Sequence, residues 1–161
     1  MTPTQQAALQ AVYTSHGGGT FSAQQVTDLT PLVTARNDAG VAAYLSPGLT
    51  IQGLVPISAF LGWAASTGMR AVIEDAAHSS ASPYYATLRS SALAMLDIIT
   101  NKTDLDLSSS AMGQGNLAML GAWVTAGAIT SAQETALVAM AKMPNPISYQ
   151  EISAALNAPG V

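Results

Sequence analysis

Signals that start helices recur along this chain at short intervals, and they constrain its fold more than any other feature. Ser22, Thr130 and Ser148 are each followed three residues later by Gln or Glu, the capping-box pattern that opens a helix. Thr2 precedes Pro3, which is a cap followed by proline at the first helical position. Because these starts alternate with glycine and proline stops, the sequence predicts a series of helices joined by short turns.

The longest amphipathic segment follows Pro56, and Gly68 bends or breaks it. Its apolar positions share one helical face: Ile57, Phe60, Leu61, Ala64 and Ala65. Strand-like alternation occurs only where Leu105 and Leu107 follow acidic residues. The predicted fold class is therefore all-α, a single domain over residues 1–161 built as a bundle of five to six helices with negligible strand.

Several element boundaries follow from the same signals. Pro31 is expected to interrupt or kink the helix that Ser22 opens, and Asp38 to cap a short helix after it. Ser108 or Ser109 is expected to cap a helix that stops at Gly127. The predicted inner face of that helix comprises Met112, Asn116, Met119, Leu120, Trp123 and Val124.

Low charge is the most unusual property of the composition. Only 9% of the 161 residues are charged, the net charge is -4, and there is no cysteine, whereas a typical domain carries about 25% charged residues. Disulfides and thiolate metal sites are excluded, and five scattered basic residues do not form the cluster that specific nucleic-acid binding needs. The uncharged polar surface indicates either coverage by partner chains or a plain compositional bias.

The apolar segments do not indicate a membrane protein. The residues after Met1 lack a basic stretch followed by an apolar run, so no signal peptide is predicted. Leu54–Ala65 is too short to span a bilayer. Ala111–Ile129 is long enough, but it contains Gln114, Asn116 and several glycines, and we interpret it as a buried helix.

Three residue patterns suggest chemistry, and each has a simpler interpretation. Glu74, Asp75 and His78 fall within about one helical turn and offer metal ligands, although a catalytic site needs a third ligand and an open position. Gly113-x-Gly115-x-x-Ala118 spells a dinucleotide fingerprint, which functions only in a βαβ unit. Asp104-x-Asp106 lacks the later acidic positions of a calcium loop. We therefore predict no catalytic residue, cofactor or metal.

The candidate interface residues are aromatic side chains near the starts of helices or at the edges of their apolar faces. They are Trp63, Tyr84, Tyr85 and Tyr149, which combine a large apolar area with a polar handle. Trp63 lies off the centre of the face that follows Pro56. It is therefore a candidate exposed anchor, the alternative being a residue at the boundary of the core.

The chain resembles a group of small, alanine-rich, charge-poor helical proteins encoded among the structural genes of tailed bacteriophages. The resemblance lies in the residues 34–46 (TARNDAGVAAYLS), 55–63 (VPISAFLGW) leading to 68–70, 105–108, 126–133 and 147–157. The resemblance extends over most of the chain, and its motifs are helix caps and helical faces that are rich in alanine and leucine. No catalytic residue is carried over from it.

The resemblance implies a non-enzymatic component of the virion: a neck, tail or capsid-associated protein that is made in the host cytoplasm. Its implied partners are other virion structural proteins, contacted by multiple symmetric copies, without specific nucleic acid or membrane. A second hypothesis is a soluble binding or assembly-chaperone module that the particle does not retain. A third is a small metal-dependent enzyme using Glu74, Asp75 and His78.

Overall fold

A computed structural model describes residues 1–161 and is 64% helical, with nine helices and four strands of three residues each. The helices are α1 Pro3–Ser15, α2 Ala23–Thr34, α3 Asp38–Leu45, α4 Ile57–Ser66, α5 Met69–His78, α6 Tyr85–Asn101, α7 Ala111–Thr125, α8 Ser131–Met140 and α9 Tyr149–Leu156. The strands are β1 Thr50–Gln52, β2 Leu54–Pro56, β3 Asp104–Asp106 and β4 Lys142–Pro144. The predicted all-α class is confirmed at this level.

The predicted number of five to six helices is wrong, because the structure has nine. Of the two alternatives expected at Gly68, a bend or a break, the structure has the break: Gly68 adopts a left-handed backbone with φ of 73° and separates α4 from α5. A residue with a side chain adopts that conformation at a cost that glycine avoids. The eight-residue helices α3 and α9 add two further elements that the estimate of five to six substantial helices left out.

The chain divides into two compact units, each with its own apolar core. Unit 1 contains both ends of the chain, residues 1–51 and 143–161, and unit 2 contains the residues 52–142 between them. Unit 2 is thus an insertion within the sequence of unit 1. The single domain that the sequence predicts over 1–161 stays a prediction, because cooperativity of unfolding and not compactness decides it.

Unit 1 is formed by α1, α2, α3 and α9, with α9 packed on both α1 and α3. Its core contains Leu9, Leu29, Val41, Leu45 and Ile152, all inaccessible or nearly so. The capping boxes predicted at Ser22 and Ser148 are present, and Thr2 forms another with Gln5. Local caps therefore place the ends of the helices whose inward faces fill this core.

Unit 2 is formed by α4 to α8, with α5 and α6 in the most extensive contact. Its largest buried side chains are Trp123 and Phe60. The buried face of α4 consists of Phe60, Trp63 and Ala64, while Ala65 is exposed. The predicted apolar face was therefore turned around the helix toward Leu61 and Ala65. The face that is buried in the structure includes Trp63.

The four strands form two separate pairs. β2 and β3 are antiparallel, with Leu54 opposite Asp106 and Val55 opposite Leu105, and β1 pairs with β4. The one strand-like stretch of the sequence forms β3, and both Leu105 and Leu107 are buried. The prediction of negligible strand overlooked the two small sheets, because the residues of β1, β2 and β4 show no alternation that continues beyond the strand.

Several predicted boundaries shift by one to three residues. α2 continues through Pro31 to Thr34, so Pro31 does not end the helix, although it lacks the N–H for one backbone hydrogen bond. The cap of α3 is Asn37, whose side chain accepts from the Gly40 amide at 2.9 Å, and not Asp38. The cap of α7 is Ser110, and not Ser108 or Ser109. Gly127 has φ of 72° just beyond α7, as predicted for its stop.

Every helix of the structure is too short or too polar to cross a bilayer.

Candidate functional site

Trp63 lies in the core of unit 2 and not on its surface. Only 5% of its area is exposed, its ring lies 5.5 Å from that of Phe60, and its Nε1–H donates to the Gln133 carbonyl oxygen at 3.1 Å. The interpretation of Trp63 as an exposed anchor is therefore wrong. The indole N–H of Trp63 is thus bonded within the unit, and this bond connects α4 to the start of α8.

Tyr84 and Tyr85, at the start of α6, are both half-buried. Tyr84 packs against the core of unit 2, and its hydroxyl donates to the Gly127 carbonyl oxygen at 3.3 Å. Tyr85 lies beneath the Arg89 guanidinium, whose carbon is 5.2 Å from the ring centroid. Of these two, Tyr85 borders the exposed side of α6, in a depression that Arg89 and Leu93 also line.

Tyr149 is the first residue of α9 in unit 1, and 57% of its area is exposed. It thus remains a candidate for contact with a partner, as predicted from its place beside the Ser148 cap. Of the four predicted aromatic residues, the structure brings Tyr84 and Tyr85 together in unit 2. Trp63 is buried, and Tyr149 belongs to the other unit.

A groove in unit 2 combines apolar and acidic side chains, and sequence reasoning did not find it. It has a volume of about 260 Å³ and is lined by Ala94, Asp97, Ile98, Lys102, Asp104, Asp106, Met112 and Asn116. Met112 is 65% exposed, the most exposed large apolar side chain of the chain. The predicted inward position of Met112 is wrong, because α7 begins at Ala111 and its buried face contains Gly113, Leu120 and Trp123.

The acidic edge of the groove is held in place by local hydrogen bonds. Asp106 accepts from the Ser108 amide at 2.8 Å and from the Ser110 hydroxyl at 2.7 Å. The bonds from Ser108, followed by the one from Ser110, lower the pKa of Asp106. Asn116 donates to the Asp106 carbonyl oxygen at 2.9 Å and so ties α7 to β3. The carboxylate is therefore ionised and fixed at neutral pH.

The groove is negative overall. Three carboxylates, those of Asp97, Asp104 and Asp106, line it together with one ammonium group, that of Lys102, and none of these residues forms an ion pair within the chain. Apolar side chains beside unpaired carboxylates favour a ligand that combines an apolar group with positive charge.

The possible metal ligands of α5 do not form a site. Glu74 accepts from Arg70 at 2.8 Å, and the His78 Nε2 atom lies 3.9 Å from the second Glu74 oxygen. The structure holds no group of three His, Cys, Asp or Glu residues arranged to bind a metal ion. Glu74 therefore acts as the partner of Arg70 on the helix surface, and the third hypothesis gains no site from the geometry.

The glycines of the apparent dinucleotide fingerprint have a packing role. α7 follows β3, but β3 pairs antiparallel with β2, so the βαβ unit that the fingerprint requires is missing. A Cβ atom on Gly113 would collide with the backbone of Ser108, whereas one on Gly115 would meet open space. Gly113 thus permits the tight turn that carries Asp106 and Ser108 against the first turn of α7.

A second polar cluster lies in unit 1 and joins its two chain segments. The His16 Nδ1 atom lies 3.0 Å from the Asn145 carbonyl oxygen, and its Nε2 atom lies 2.9 Å from Glu151 Oε1. The other Glu151 oxygen accepts from the Ser148 amide and hydroxyl in the capping box. The sequence predicted that box, but a single sequence carries no signal that pairs residues 16 and 151.

The surroundings of this cluster shift both pKa values. Burial alone lowers the pKa of His16, but the bonds to the Asn145 carbonyl and the Glu151 carboxylate outweigh it, and the pKa is raised. The Ser148 side chain and amide, followed by His16, lower the pKa of Glu151 to about 2. While His16 is protonated the arrangement is an ion pair, and the Ser148 hydroxyl beside it donates to the Glu151 carboxylate.

Comparison with known protein families, with curated proteins and with solved structures finds no match to this chain.

Proposed function

We propose that this chain is a non-enzymatic structural component of a tailed-phage virion, a neck, tail or capsid-associated protein that acts through protein–protein interfaces. The observation that carries the interface part of the proposal is the groove between α6, β3 and α7, with Met112 exposed in it. The resemblance to phage structural proteins supports the location, and the low charge of the chain supports surfaces that partners cover.

The groove favours one kind of partner. Its apolar part, formed by Ala94, Ile98 and Met112, accepts an aliphatic or aromatic side chain, and methionine adapts to irregular shapes. Its carboxylates accept Lys or Arg on either side of that anchor. The proposed occupant is a segment of another structural protein of the particle with an apolar residue between basic ones.

The test compares two methionine variants in the full chain. Met112→Glu places a carboxylate within the acidic groove, and Met140→Glu changes a methionine of α8 that is also exposed but lies outside the groove. Loss of one buried apolar anchor weakens binding by about 1.5–3 kcal/mol, or roughly tenfold or more. We expect Met112→Glu to reduce the amount of chain recovered with purified particles by that factor, and Met140→Glu to leave it unchanged.

The same experiment decides between the two interface hypotheses. If the wild-type chain binds structural proteins in the lysate and is missing from finished particles, it is an assembly chaperone that the particle does not retain. If Met112→Glu and Met140→Glu are recovered with particles as well as the wild type, the groove is not the contact surface. Thermal unfolding of both variants checks that each substitution leaves the fold intact.

A further inference from the structure

The outer face of α6 carries a symmetric pattern of exposed residues. Leu93 is exposed at its centre, with Arg89 one helical turn before it and Asp97 one turn after it. Ala86 and Thr100, seven residues to either side of Leu93, are also exposed and lie near the same line. The apolar centre is therefore flanked by opposite charges at equal distances.

Neither charge has an ionic partner within the chain. The Arg89 guanidinium lies over the Tyr85 ring, and Asp97 accepts from the Asn101 side chain at 2.6 Å. The ion pairs of the chain involve other residues: His16, Glu151, Arg70, Glu74 and His78. The Arg89 guanidinium beside the exposed Leu93 is therefore free to pair with a carboxylate that a partner supplies.

We propose that α6 docks against α6 of a second copy of this chain, antiparallel and about a two-fold axis that passes through Leu93. In such a pair the residues at equal distances before and after Leu93 face each other. Arg89 of one copy then lies beside Asp97 of the other, twice in each dimer. A two-fold interface uses the same patch on both subunits, which is the self-complementarity that this face shows.

The alternative orientation does not fit the same face. Two α6 helices packed parallel would set Arg89 against Arg89 and Asp97 against Asp97, which is destabilising. In the antiparallel pair, the small side chains Ala86 and Ser90 lie between the larger ones and permit the axis separation of about 8–10 Å at which helices interlock. The pattern of residues on this face therefore favours a second copy of the chain as the partner, with its α6 antiparallel.

This inference rests on the proposed function, because it names one of the partners through which the chain assembles. The groove shares Asp97 with this face, whereas Met112 belongs to α7 and not to the face. A chain that is recovered with particles but never forms a dimer contradicts this inference alone. A dimer that never associates with structural proteins contradicts the proposed function alone.

The test measures the mass of the full chain by sedimentation equilibrium across a wide range of concentration. We expect a reversible dimer of twice 16.4 kDa. Arg89→Glu and Asp97→Arg each replace two attractive pairs by two repulsive pairs, and each should raise the dimer dissociation constant roughly tenfold. The double variant restores opposite charges with reversed sign and should return the dissociation constant to the wild-type range.

Ala118→Glu is the matched control, because Ala118 is an exposed residue of unit 2 that belongs to α7 and lines neither the depression beside Leu93 nor the groove. It should leave the dissociation constant unchanged, while Leu93→Asp should give monomer. A wild-type chain that remains at 16.4 kDa up to its solubility limit contradicts the inference. A double variant that stays as weak as the single variants contradicts the Arg89–Asp97 pairing.

Discussion

The kind of atoms that face His16 favours the protonated ring. The Asn145 carbonyl and the Glu151 carboxylate can only accept hydrogen bonds. Both ring nitrogens must therefore donate if both bonds are to form, and a neutral ring has only one N–H. The positive charge then lies beside an ionised carboxylate, so the protonated ring bridges the two chain segments of unit 1.

This bridge predicts a pH dependence of stability. The pKa of His16 is raised above 6.5 in the fold, so its contribution is complete below 6.5 and is lost as the pH rises through the folded value. The pKa of Glu151 falls from 4.5 to about 2, so its contribution is present above 4.5 and is lost as the pH falls toward 2. The pair therefore stabilises most between these limits, at about pH 4.5–6.5.

The expected effect is small, since Glu151 is nearly half-exposed and water screens such pairs. Deprotonation of His16 above pH 6.5 should lower the melting temperature by about 1–4 °C. His16→Gln should remove that part of the pH dependence, and His78→Gln, at an exposed histidine of α5, should retain it. Equal slopes in the wild type and His16→Gln above pH 6.5 would show that the bridge contributes nothing.

Single residues mark the limit of what the sequence could predict about the site. Tyr149 is exposed, which is compatible with its selection as an interface candidate. Trp63 was predicted to be exposed because hydrophobicity alone did not show which of two adjacent faces of the helix packs inward. Only tertiary contacts decide between those faces. Met112 and His16 depend on contacts made by distant parts of the chain, which no local pattern contains.

At the scale of elements, α7 shows how one glycine sets a tight contact. Gly113 lies against the Ser108 backbone, while Gly115, two residues on, faces open space. Gly113→Ala should therefore destabilise the chain by about 1–3 kcal/mol, because backbone must move to admit the methyl group. Gly115→Ala should stabilise it by about 0.5–1 kcal/mol, because alanine favours the helix.

Urea unfolding of the two variants measures the free energy of unfolding of each. The two substitutions add the same atoms to the same helix, so their difference reports the contact with Ser108 alone. A Gly113→Ala variant as stable as Gly115→Ala would mean that the turn before α7 is looser than the structure places it.

Helices were predictable where local chemistry defines their ends. Ser22, Thr130 and Ser148 each form the capping box that their sequences indicate. The helix count was wrong where the end depends on a backbone conformation, as at Gly68. The pairing of β2 with β3 was not predictable, because short strands are defined by the partner that lies beside them and not by their own pattern.

At the scale of the whole molecule, chain topology couples the two units. Unit 2 joins both segments of unit 1, and within it the Gly53 amide donates to the Ala141 carbonyl oxygen at 2.8 Å, which keeps its two ends together. If unit 2 unfolds, unit 1 has to close a flexible loop of about 90 residues, which costs on the order of 4 kcal/mol. We therefore expect one cooperative transition, as the predicted single domain over 1–161 implies.

The tryptophans make this prediction measurable. Trp63 and Trp123 are the two tryptophans of the chain, and both lie in the core of unit 2. Their fluorescence reports unit 2, while far-UV circular dichroism reports all nine helices. The two thermal transitions should coincide. A fluorescence transition separated from a second loss of helix would show two independent domains.

Sedimentation of the native lysate on a density gradient tests most directly the proposal that the chain works by assembly. The chain is followed by mass spectrometry, and its amount is compared with that of the major shell protein. We expect it to travel with dense, megadalton particles at a fixed stoichiometry, which separates a neck position from a capsid lattice. A chain that stays at the top of the gradient, near its monomer mass of 16.4 kDa, would contradict the claim.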